Sequence, residues 1–263
     1  MATSAPTANL PLFYNGVQPL SSQLHSEWKT RSLDLRPMMA TQHAIPLTVE
    51  EFSVAQRHFP IVFSVGDNAV PLALMGLNEG ANVFADDSPE NANVYIPAYL
   101  RRYPFMLAKL REDGDELSLC FDPSSGSIGQ FEDGTALFDG EQPSEATKAI
   151  LQFCEQFEQA GARTQAFMAE IKKAGLLMDG EVSIQPSDSD QPFVYRGFQM
   201  IDETKLQELR GDELRKMNQS GLLALIYAHL FSLPLIRDVF ARQMAQGKVP
   251  TPQQLPTAAN GAG

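Results

Sequence analysis

Hydrophobic and polar positions fall into runs that mark out elements along this chain. Pro60 to Val65 and Val70 to Leu77 are apolar and rich in β-formers, and Gly66-Asp-Asn-Ala separates them. That pattern predicts a β-hairpin with a short turn. Apolar residues sit at adjacent as well as alternate positions, so at least one of its strands is expected to be buried on both faces. From Ser144 to about Ala174 the spacing becomes helical: Ile150, Cys154, Phe157, Met168 and Ile171 form a stripe, with Phe153 and Phe167 beside it. Ser144 suits the start of this helix and Gly175 its end.

Shorter elements follow from local signals. Ala44 to Leu47 reads as a strand, and Thr48-Val-Glu-Glu51 as the capping box of a helix running to about His58. Asn78 to Asn93 is turn-rich and acidic and reads as a solvated loop; it lacks the spacing and central glycine of an EF-hand. Glu116 to Asp122, Gly134 to Phe138, Val182 to Ile184 and Phe193 to Ile201 read as strands, the last two flanking a polar loop, Pro186 to Gln191. Asp202 starts a short helix ending near Gly211. A second helix is expected from Asp212 to Phe231, apolar on nearly all sides from Leu222, and a third to about Ala245 with Ser232 as its cap. Trp28, the only tryptophan, is expected to be a packed anchor.

Together these elements predict an α+β fold: an antiparallel or mixed sheet with a helical C-terminal part packed on it. Residues 1–10 and 247–263 read as loose tails, leaving a single domain over residues 11–246. With 263 residues and 43% hydrophobic content, a sizeable core is available. The net charge of −12 argues against a general nucleic-acid binder, because the phosphate backbone would be repelled without a basic stripe. Cys120 and Cys154 form no CxxC pair, so no zinc or redox centre is indicated; they could form one disulfide, but two buried free thiols of a reducing compartment are the plainer reading. The N-terminus shows no signal-peptide pattern. Gly221 to Leu233, the most apolar segment, falls short of the ~20 residues that span a bilayer. The expectation is a cytoplasmic chain with no membrane insertion.

One stretch stands apart in density of recognition chemistry: Tyr95-Ile-Pro-Ala-Tyr-Leu-Arg-Arg-Tyr-Pro-Phe105. Pro97 suits the first turn of a helix, while Pro104 is poor within one, so a short helix over about Ala98 to Arg102, or a kinked longer one, is predicted. On it Tyr99 shares a face with Arg102 and Tyr103. Arginine over a tyrosine ring makes a cation–π contact, and its planar fork matches a carboxylate or phosphate. Tyr95, Tyr99, Arg101, Arg102 and Tyr103 are therefore the candidate binding residues, for a peptide or another acidic ligand. The competing reading is a Tyr/Arg packing knot that fastens the segment to a sheet.

The same stretch, with Phe59-Pro-Ile-Val-Phe63, Pro71-Leu-Ala-Leu-Met-Gly-Leu77, Arg196-Gly-Phe198, Ile201-Asp-Glu203 and the Gly221 to Leu233 run, resembles the SapC family. The resemblance covers about residues 10–245. It implies an accessory protein linked to surface-layer loci or TonB-dependent outer-membrane receptors, and it carries no catalytic residues.

Marked catalytic chemistry is sparse. There is no HExxH and no G-x-S-x-G, and Gly126-Ser-Ile-Gly129 lacks the lysine of a phosphate loop. His25-Ser-Glu27, with His229 as a third ligand, is the one combination that would suit an oxidative iron site acting on a peptide or small molecule. Two ordinary histidines are the plainer reading, so no metal or cofactor is expected. A protein or peptide partner is, and a homodimer through the C-terminal helices is a further option.

Overall fold

The computed structural model describes residues 10–110, 117–185 and 192–248. The expected tails, apart from Leu10, Gly247 and Lys248, lie outside these residues, as does the polar loop 186–191. Strands of three or more residues are β1 (Ala44–Pro46), β2 (Ile61–Phe63), β3 (Pro71–Leu74), β4 (Phe105–Lys109), β5 (Leu117–Phe121), β6 (Leu177–Ile184) and β7 (Phe193–Ile201). Helices of six or more are α1 (Glu145–Lys173), α2 (Glu203–Glu208), α3 (Gly211–Gln219), α4 (Leu222–Ser232) and α5 (Leu235–Ala245). Among the described residues every strand pairing is antiparallel, and the fold is α+β.

The chain divides into two compact units, Met1–Met38 with Ile96–Arg163, and Met39–Tyr95 with Thr164–Gly263. In the first, β5 lies between β4 and the two-residue strand Gln18–Pro19. A second small sheet centres on Lys29–Thr30. A hydrophobic core of this unit holds Phe105, Leu107, Phe121, Leu137 and Cys154, with Trp28 packed against it. Trp28 meets Phe121 edge-on at 5.9 Å, the anchor role its sequence setting suggests.

The second unit is built on a five-stranded sheet in the order β6-β7-β2-β3-β1. β2 and β3 form the expected hairpin, pairing Ile61 with Ala73 and Phe63 with Pro71. Its turn uses Gly66 at φ 104°, a backbone that favours glycine. All three residues of β2 are buried, as its unbroken apolar run requires. β6 begins at Leu177, five residues before the predicted start. Gly180 sits in the strand at a bulge, where a Cβ would lie 2.1 Å from the Phe198 ring.

α1 follows its stripe, with Ser144 Oγ accepting from Thr147 N–H at 3.2 Å and Gly175 at φ 68° after its end. Three expectations need correction. The helix read from Asp212 to Phe231 is two, because Gly221 takes φ 80° between α3 and α4. Ser232 is not the cap of α5: it is fully buried at the end of α4, bonded to a strand. The loop read as solvated is partly core: Ala81 to Phe84 are buried, and the Asn82 amide donates to Met39 and Gln42 carbonyls while its Oδ1 accepts from Phe84 N–H.

By length and composition alone, Leu222–Ala245 taken together is apolar enough to cross a membrane, with mean hydropathy 1.5. The apolar stretch thus runs past Leu233. The same segment buries His229, Ser232 and Gln243 completely within its unit.

Candidate functional site

The Tyr95–Phe105 run forms the short helix Ala98–Arg101 after Pro97, and Pro104 then delivers the chain into β4. Arg102, 7% exposed, sits inside an aromatic box. Its guanidinium carbon lies 4.3 Å from the Phe157 ring centre, 4.8 Å from Tyr99 and 5.7 Å from Tyr14. Glu158 is at 3.5 Å, a long contact, and the buried Nε has no hydrogen-bond partner. Cation–π attraction and apolar packing therefore hold Arg102 more than ion pairing does.

The tyrosines around it spend their hydroxyls on the N-terminal arm, on β4 and on Asp122 just past β5. Tyr14 donates to the Phe105 carbonyl at 2.7 Å, Tyr99 to Leu12 at 3.2 Å and Tyr103 to Asp122 at 3.4 Å. Asp122 also accepts the Asn15 and Ser124 N–H groups, each at 2.8 Å. Burial raises all three phenols, Tyr103 to about 12 with Asp122 adding to it, so they stay protonated donors. Arg101 is exposed, its Nε donating to the Ile96 carbonyl at 3.0 Å and its fork 5.2 Å over Phe153.

Of the five candidate residues, Tyr99, Arg102 and Tyr103 thus lie together in the first unit's packing, with Arg101 at its surface. Tyr95 belongs to the second unit, where its hydroxyl donates to Glu51 at 3.0 Å and its ring stacks on His58 at 6.4 Å.

The iron-site combination fails on hydrogen bonding. In His229, Nε2 accepts from Ile201 N–H at 3.1 Å, which leaves Nδ1 to donate to the Ile61 carbonyl at 2.7 Å. With one nitrogen protonated and the other occupied, no lone pair remains for a metal. Burial drives this imidazole down to about 4, so it is neutral. In His25, Nδ1 accepts from Ser21 N–H at 3.0 Å, and the ring packs on Trp28 and Phe121. Among the described residues, no three His, Cys, Asp or Glu side chains are grouped to hold a metal ion. Cys120 and Cys154 are free and buried, both thiols pushed up to about 11 by burial, and so are poor nucleophiles.

Two clefts open on the second unit. The larger, about 840 Å³, lies between the hairpin turn and the end of α1, where Lys172 reaches Asp67 at 3.3 Å. The smaller, about 320 Å³, concentrates charge: Arg57, His58, Glu90, Asp238 and Arg242 line it, over an apolar wall of Phe84, Val94, Leu235 and Val239. Arg242 is fixed by donating to Asn91 Oδ1 at 2.9 Å and by stacking 5.0 Å over Phe84. Arg57, Glu90 and Asp238 are exposed and enter no ion pair among the described residues. His58 is held below its ordinary value by burial and then by Arg57. Sequence reasoning missed this cleft, whose residues come from three separated segments. Its one sequence signal was Tyr95, which backs it through His58.

The SapC family model matches residues 20–239. No curated protein sequence and no solved structure matches the chain.

Proposed function

The chain belongs to the SapC family, and on that premise we propose that it is a non-catalytic accessory protein that binds a peptide or protein partner. The reading extends to a cytoplasmic role serving surface-layer or TonB-dependent receptor systems. One observation carries it: the small cleft presents arginine and carboxylate side chains unpaired with each other, beside an apolar wall. A peptide offers charges of both signs and apolar side chains, so such a lining complements it. The engaged histidines and the raised thiols leave none of these groups poised as base or nucleophile. Free Cys120 and Cys154 agree with a reducing compartment. In this reading Tyr99, Arg102 and Tyr103 maintain the first unit, while Tyr95 supports the cleft.

The test is an array of peptides tiled across surface-layer proteins and TonB-dependent receptors, probed with the full chain. Discrete peptides should be retained, and an Arg57→Gln/Arg242→Gln chain with unchanged circular dichroism should lose them. An array that retains none overturns the reading.

A second reading, self-association through α4, draws on Tyr227 and Phe231. Their rings stack at 5.7 Å while remaining 41% and 70% exposed. Monomeric sedimentation across a concentration series would remove it.

A further inference from the structure

We propose that the small cleft of the second unit is a carboxylate pocket that takes the free C-terminal residue of a peptide with an apolar side chain. This rests on the peptide-binding reading and sharpens it to one end of the chain.

Arg242 is the reason. Its Nη1 is anchored on Asn91 and its plane lies over Phe84, so the guanidinium is held in place before any ligand arrives. Nε and Nη2 make no hydrogen bond among the described residues, and Arg242 lines the cleft. Two neighbouring donors on a fixed fork match the two oxygens of a carboxylate. Arg57 adds a second cation at the same cleft, with no ion pair among the described residues.

The other linings narrow the ligand further. Glu90 and Asp238 disfavour a second negative charge, which selects a monoanion over phosphate or a dicarboxylate. Phe84, Leu235 and Val239 supply apolar surface for one side chain next to the carboxylate. The volume, about 320 Å³, is at the low end of the ~300–1,000 Å³ of small-ligand pockets, enough for a terminal residue rather than a long segment. A free apolar amino acid shares this chemistry, so the test separates the two sources.

The experiment is calorimetric titration of the full chain with acetyl-Ala-Ala-Leu, its C-terminal amide, free leucine and inorganic phosphate. The acid should bind, with the amide at least tenfold weaker and phosphate not competing. Arg242→Gln should reduce binding of the acid by a similar factor. Arg57→Gln, which removes an exposed side chain with no ion pair among the described residues, provides a second variant should Arg242→Gln disturb folding; it should weaken the acid but not the amide. Equal binding of acid and amide would overturn the carboxylate pocket. Free leucine binding as tightly as the tripeptide would overturn the peptide as source. If neither acid nor amide binds while array peptides are still retained, the pocket assignment falls and the peptide reading stands; an empty array removes both.

Discussion

Arg102 shows how one residue carries two meanings in sequence and one in the fold. Beside three tyrosines it has the composition of an anion site, but its guanidinium is enclosed by Tyr14, Tyr99 and Phe157. Arg101, its neighbour, stays exposed. The two should therefore respond differently to the same change. Arg102→Gln removes the cation–π contacts and apolar stem from a buried box and should cost roughly 1–3 kcal/mol. Arg101→Gln should stay within about 0.5 kcal/mol. Urea denaturation of both variants measures the contrast, and equal small effects would show that the box does not depend on its arginine. The helical face shared by Tyr99 and Arg102 was legible at spacing three. That Tyr14 and Phe157 close the box was not, because they approach from residues 85 and 58 positions away from Tyr99.

At the scale of elements, α4 substitutes for a missing strand. β7 meets β2 at a single pair, Gln199 with Phe63, so Ile61 lacks a strand on that side. Two side chains of α4 fill the place: Ser232 Oγ accepts the Ile61 N–H at 2.8 Å, and His229 takes its carbonyl at 2.7 Å while binding Ile201 N–H of β7. This explains polar residues on an otherwise apolar helix, at a spacing of three that places them on one face. It also makes stability depend on pH. The folded His229 sits near 4 against an ordinary 6.5. Between these values the unfolded chain binds a proton that the folded chain does not, so stability is complete above pH 6.5 and declines as pH falls toward 4. The loss attributable to this group is roughly 3 kcal/mol, at ~1.36 kcal/mol per unit. His25, His43 and His58 are lowered by burial too and act in the same direction. Chemical denaturation at a series of pH values should show the decline, and His229→Gln should flatten it while lowering stability at neutral pH. An unchanged slope in that variant would rule out His229 as its main source.

Over the whole molecule the two cysteines are free, and among the described residues no group of His, Cys, Asp or Glu could hold a metal ion. Both thiols are buried and raised to about 11. The native chain should therefore react negligibly with Ellman's reagent, with both thiols titrating in guanidinium chloride. Fast reaction of the native chain would mean that the first unit's core opens readily. The sequence by itself determined the elements whose signals are local: the hairpin of β2 and β3, the capping box at Thr48, the long α1 and the α+β class. Each depends on periodicity or on a cap within a few residues, and such forces act along the chain. Only tertiary structure decided the rest. Gly180 sits within a strand, where Phe198 occupies the space a Cβ would need, Asn82 ties part of a polar loop into the core by bonding the Met39 and Gln42 carbonyls, and α4 became a strand's partner. The charged cleft belongs to the same class, since Arg57, Glu90 and Arg242 meet only after the chain has folded. A polar side chain's role is set by which backbone group or charge is left unsatisfied nearby, and that is known only when distant segments pack.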